Sequence, residues 1–111
     1  MTDAEFDEHV RAALDSLPPH IAEALRNIAV VVEDENPGDP DLFGLYDGVP
    51  LTERGAEAPV QPDRIAIYRR PLTEDFTDPA ELRDEIRITV LHELAHYFGI
   101  DEARLDELGY A

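Results

Sequence analysis

The sequence predicts an α+β domain organised around one long helix near its C-terminal end, and three observations predict it. Asp78-Pro79-Ala80-Glu81 opens a helical stretch that runs to Phe98 and meets Gly99. Ile28 to Val32 and Arg64 to Arg70 carry the continuous and alternating apolar patterns of β-strands. Ahead of both, Phe6, Val10, Leu14 and Leu17 recur at helical spacing.

Taken in order, Thr2-Asp3-Ala4-Glu5 is a capping-box pattern, in which the Thr hydroxyl and Glu carboxylate each satisfy a backbone N–H of the first turn. A first amphipathic helix therefore spans about Asp3 to Leu17. Pro18-Pro19 ends it and starts a short second helix through about Arg26. Ile28 to Val32 is an apolar, β-branched run that predicts a strand buried on both faces. Asn36-Pro37-Gly38-Asp39-Pro40 is a turn, and Leu42 to Tyr46 a short second strand. Gly48 to Asp63, rich in proline and glycine, predicts a long loop with a strand fragment near Val49 to Thr52. Arg64 to Arg70 alternates as a third strand, which Pro71 stops, and an acidic loop through Thr77 follows.

Asp78 is the expected N-cap of the long helix, with Pro79 at its first position and Glu81 completing the cap. Gly99 supplies the left-handed stop. Beyond it, Asp101 to Leu108 predicts a short last helix packed back through Ile100, Leu105 and Leu108.

Composition narrows the function. With 111 residues and 43% hydrophobic content, the chain predicts a single globular domain over residues 1–111. There is no cysteine, so disulfides and thiolate metal sites are excluded and any metal must use nitrogen and oxygen ligands. A net charge of −17 repels phosphate backbones and anionic membranes, which argues against nucleic acid and membrane partners. The acidic N-terminus is no signal peptide and no apolar run reaches membrane-spanning length, so a cytoplasmic location is expected.

The chemistry lies in His92-Glu93-Leu94-Ala95-His96, an H-E-x-x-H pattern within the long helix. Chance yields this pattern ~0.02 times in a chain of this composition. Histidines at i and i+4 sit about 40° apart round a helix and one turn apart along it, so both imidazoles can converge on one cation. Glu93, about 100° round from His92, is poorly placed as an equal ligand but well placed to take a proton from a metal-bound water. Glu85, Thr89, His92 and His96, with Glu93 at the edge, form a polar window in a helix half that is otherwise apolar. His9 and His20 have no partner at ligand spacing and are expected at the surface.

Two histidines do not complete a catalytic zinc site, which usually takes three protein ligands and a water. The sharp turn at Gly99 can swing Asp101 or Glu102 toward the metal, with Asp106 and Glu107 as later candidates.

His92 to Glu102 resembles the extended H-E-x-x-H-x-x-G-x-x-D motif of the minimal zincin-like metallopeptidases of bacteria, most clearly over Asp78 to Tyr110. The resemblance implies a small mixed sheet beside an active-site helix, His92 and His96 as zinc ligands, and Glu93 as general base. It places the third-ligand slot on Glu102, whereas the aspartate typical of the motif stands one residue earlier, at Asp101. Met1 is the only methionine, so the methionine turn of the larger metzincins has no counterpart; Tyr110 is either a floor to the site or a core aromatic. The resemblance also implies substrate bound as an extended strand along a sheet edge, for which Arg64 to Arg70 is the candidate.

The leading expectation is thus a metallopeptidase with one Zn²⁺ per chain, acting on a peptide or protein substrate. Nickel, cobalt or iron suit the same donor set. The competing reading is a metal-poor, non-catalytic domain of the same fold that serves as an interaction or homodimerisation module. A metal-dependent RNA hydrolase is disfavoured by the charge.

Overall fold

The computed structural model describes residues 1–25, 28–48, 63–100 and 103. In chain order the elements are α1 (Asp3–Asp15), α2 (Pro19–Ala24), β1 (Ala29–Glu33), β2 (Gly44–Asp47), β3 (Arg64–Tyr68), α3 (Arg69–Asp75) and α4 (Pro79–Tyr97). Of the expected last helix only Ala103, which is helical, is described, and the strand fragment near Val49 to Thr52 lies outside the described residues. Among those described, no helix is long and apolar enough to cross a membrane.

Local chemistry sets the helix starts. Thr2 caps α1: its hydroxyl accepts from the Glu5 N–H at 3.1 Å, and the Glu5 carboxylate accepts from the Thr2 N–H at 3.0 Å. These bonds from the Thr2 backbone and hydroxyl hold the Glu5 carboxyl below its ordinary pKa. Helix α1 buries Phe6, Val10 and Ala13.

The three strands form one mixed sheet in the order β1-β3-β2, with β1 parallel and β2 antiparallel to β3. This is the mixed sheet that the sequence resemblance implied, but two strand assignments change. The apolar run at Ile28 to Val32 was expected to be buried on both faces; β1 is instead an outer strand, with Ala29 exposed and Val30 to Glu33 half-buried. The both-faces burial belongs to β3, where Ile65, Ala66, Ile67 and Tyr68 are at most 2% exposed. The reason is position: among the described residues β3 has a neighbour on each side, and β1 has one. The same order removes Arg64 to Arg70 as a substrate-binding edge, because both ladders of β3 are taken by β1 and β2.

A third change follows β3. Pro71 does not stop the chain in a loop but sits in the first turn of α3, where its missing N–H costs nothing. Arg69, at the start of α3, donates to Asp7 at 3.0 Å and to Asp34 at 3.4 Å, tying α3 to α1 and to the end of β1. Burial opposes the Arg69 charge, but Asp7 and Asp34 outweigh it and raise its pKa.

The core fills the space between the sheet and the helices: Phe6 and Val10 from α1, Ile65 and Ile67 from β3, and Leu82, Ile86, Val90 and Leu94 from α4. Each such side chain, fully buried, stabilises by roughly 1.5–3 kcal/mol relative to exposure. Helix α4 is thereby clamped between α1 and the sheet, and its polar window faces β2.

Candidate metal centre

Helix α4 places the two histidines. Its N-terminus is capped by Asp78, whose carboxylate accepts from the Glu81 N–H at 3.0 Å, and Pro79 occupies the first position. Its C-terminus closes with a Schellman pattern: the Gly99 N–H bonds to the His96 carbonyl and the Ile100 N–H to the Ala95 carbonyl, both at 3.0 Å. Gly99 has φ of 79°, in the left-handed region where a Cβ is unfavourable. The helix therefore stops at Gly99, as the sequence predicted.

Between these caps, His92 and His96 stack one turn apart. Their ring centroids are 4.7 Å apart with planes at 75°. Glu93 is 5% exposed, and its Oε1 lies 3.1 Å from Nδ1 of His96. With the proton on Nδ1, that ring donates to Glu93 and keeps the Nε2 lone pair for a cation. A ring nitrogen from each histidine and a carboxylate oxygen of Glu93 all fall within 4.8 Å of one another, a group that could hold a metal ion. The carboxylate thus comes closer to the two imidazoles than its angular offset along the helix suggested.

Burial of Glu93 is imposed by β2. Gly44 packs against α4 so closely that a Cβ there would stand 3.1 Å from Glu93 Cγ and 2.9 Å from Thr89 Cγ2. Thr89 is buried and its hydroxyl donates to the Glu85 carbonyl at 2.8 Å. Sequence reasoning missed Gly44, although a glycine inside a strand pattern is itself a sign of close backbone approach. Beside this contact, His92 and Glu93 open into a cleft of about 390 Å³ between α4 and the segment Asp41 to Gly44. Of the polar window expected on α4, Glu85, Thr89, His92 and Glu93 line the cleft, and His96 does not.

His20 is exposed and His9 half-buried, and neither joins a metal-binding group among the described residues. Asp101 and Glu102, the third-ligand candidates, and Asp106, Glu107 and Tyr110 lie outside the described residues.

A mixed three-stranded sheet packed on a helix that presents an H-E-x-x-H group defines the class, a minimal zincin-like domain. The comparison with known families agrees: the chain belongs to the zincin-like metallopeptidase family, which it matches over residues 25–110. Membership implies a metal, usually zinc, and the residues fit one, since two imidazole nitrogens suited to zinc stand with a carboxylate beside them, all within 4.8 Å of one another. No curated protein matches the chain.

Proposed function

We propose that the chain is a zinc-dependent peptidase, with His92 and His96 as metal ligands, Glu93 as general base, and Glu102 or Asp101 as the third ligand. The observation that carries this reading is the buried Glu93 carboxylate, 3.1 Å from one imidazole of the pair and opening into a cleft. Zn²⁺, when bound, supplies a Lewis acid and lowers the pKa of its water toward neutrality. The residues do the rest. His92 and His96 hold the cation through ring nitrogens, and α4, clamped in the core, keeps those rings in place. Glu93, enclosed by Gly44 and Thr89, accepts the proton of the attacking water and returns it to the leaving amine. The left-handed stop at Gly99, three residues past His96, supports a third ligand from the residues just beyond it.

Substrate binding is reassigned with the sheet order. Among the described strands β2, not β3, is the outer one beside α4, so an extended peptide adds to β2, its backbone hydrogen-bonding at the strand edge next to Glu93.

Metal content per chain tests the proposal, measured for the native protein and for His96→Ala. Stoichiometric zinc in the first and its loss in the second are expected. Glu93→Gln should retain zinc and lose peptide hydrolysis. A native protein without zinc and without hydrolysis would favour the interaction-module reading instead.

A further inference from the structure

We propose that the cleft beside His92 and Glu93 is a docking groove for a lysine or arginine side chain of the substrate, and that Glu85 is the residue that selects it. This rests on the peptidase reading of the same site.

The groove changes character along its length. Along α4 the lining runs from Glu85 through Ile88 and Thr89 to His92 and Glu93, and the facing wall is Asp41, Leu42, Phe43 and Gly44. Glu85 and His92 are seven residues apart on α4, so they align within about 20° and stand roughly 10.5 Å apart along the helix axis. An extended peptide advances about 3.3 Å per residue. A residue one or two positions from the scissile bond, with a four-carbon lysine stem or the arginine equivalent, covers the remainder. Such side chains lay their methylenes along apolar surface and keep the cation at a polar end; Ile88 lies between Glu85 and His92 on α4, and Leu42 and Phe43 are on the facing wall.

Charge complementarity decides the occupant. Four arginines pair with acidic groups elsewhere: Arg64 with Glu33, Arg69 with Asp7 and Asp34, Arg70 with Glu35, Arg83 with Asp84. Among the described residues no arginine lines this groove, and the carboxylates of Glu85 and Asp41 make no hydrogen bond or ion pair. Glu85 is half-buried, so its unpartnered charge is partly desolvated and gains from an incoming cation. Asp41 is exposed, lines the same groove and adds to its negative field. The net charge of −17 attracts cationic peptides from a distance and repels acidic ones.

The test uses the zinc-loaded full chain and a peptide set that differs only at the positions flanking the cleaved bond, carrying arginine, lysine, leucine or glutamate. The expected kcat/KM for arginine or lysine exceeds that for leucine by about tenfold, ~1.4 kcal/mol of discrimination. Glu85→Gln should erase most of that ratio and Glu85→Lys should reverse it toward glutamate. Hydrolysis with no preference for basic residues, or a preference unchanged in Glu85→Lys, overturns the groove while leaving the peptidase reading intact. A second readout needs no turnover: fluorescence anisotropy of labelled arginine and leucine peptides on Glu93→Gln. Selective binding of the arginine peptide, lost in Glu93→Gln/Glu85→Lys, supports the groove even if no peptide is ever cleaved, in which case only the peptidase reading falls. Equal binding of both peptides overturns it.

Discussion

Replacing Gly44 by alanine probes the contact that encloses Glu93. The added Cβ would lie 2.9 Å from Thr89 Cγ2, 3.1 Å from Glu93 Cγ and 3.2 Å from the Ala66 carbonyl oxygen. Carbon atoms pack best at about 3.5–4.0 Å, so β2 and α4 must part by roughly 0.5–1 Å. Thr89 cannot easily yield, because it is β-branched, buried, and bonded through its hydroxyl to the Glu85 carbonyl. The position carries no positive φ, so the alanine backbone itself is unstrained and the clash is isolated. Overpacking of this kind costs about 1–3 kcal/mol. Alanine recovers ~0.4–1 kcal/mol by restricting the unfolded chain, leaving a net loss of about 0.5–2 kcal/mol. Urea unfolding should therefore show a midpoint lowered by roughly 0.2–2 M at unchanged slope, for slopes of about 1–3 kcal/mol/M. Hydrolysis should fall more than stability, because the displaced group is the Glu93 side chain. The decisive control is Thr89→Ser, which removes Cγ2 and keeps the hydroxyl. Alone it should cost about 0.8 kcal/mol for the lost methyl. In the double variant the two losses should fail to add by at least ~0.5 kcal/mol, since the serine relieves the closest contact. Strict additivity, or a Gly44→Ala protein as stable as the native one, would refute the account of how Glu93 is enclosed.

The other predictions concern chemistry and local stability. Glu93→Gln should reduce peptide hydrolysis by ~10²–10⁴, the range for removing a general base, with zinc content by atomic absorption unchanged. Zinc at a hundredfold excess over its dissociation constant should stabilise the native protein by about 2.7 kcal/mol, seen as a rise in Tm that chelation reverses and that His96→Ala lacks. Asp78→Ala should cost ~1 kcal/mol through loss of the α4 cap, read by chemical denaturation. The Glu5 carboxyl titrates below its usual value of 4.5 because it accepts from Thr2. Its contribution is therefore present above pH 4.5 and is lost as pH falls through the lowered folded value. Stability measured against Glu5→Gln should show the native advantage at neutral pH and its decline in that acid window.

Much of the helical structure was legible because its signals are local. Asp78, Pro79 and Gly99 mark the ends of α4 to within a residue, since caps act through the nearest turn of backbone. The nearness of His92 and His96 follows from the helical repeat alone. Strand placement was less legible. Val30 to Val32 and Ile65 to Ile67 are equally apolar, so nothing in either run says which becomes the central strand. Pro71 was ambiguous for a different reason: it breaks a helix from within but fits one in its first turn, and only the placement of α3 tells the two cases apart.

From its residues alone, this chain declares a capped helix carrying two imidazoles and a carboxylate, because helix geometry and capping depend on neighbours within a few positions. Tertiary structure decided the rest: that β2 is the outer strand beside the helix, that Gly44 presses on Glu93, and that Asp41 to Phe43 face Glu85 across a groove. Those relations join segments some forty residues apart in the chain. They arise from burying β3 between two neighbours, a choice made by the whole core and by no single stretch of sequence.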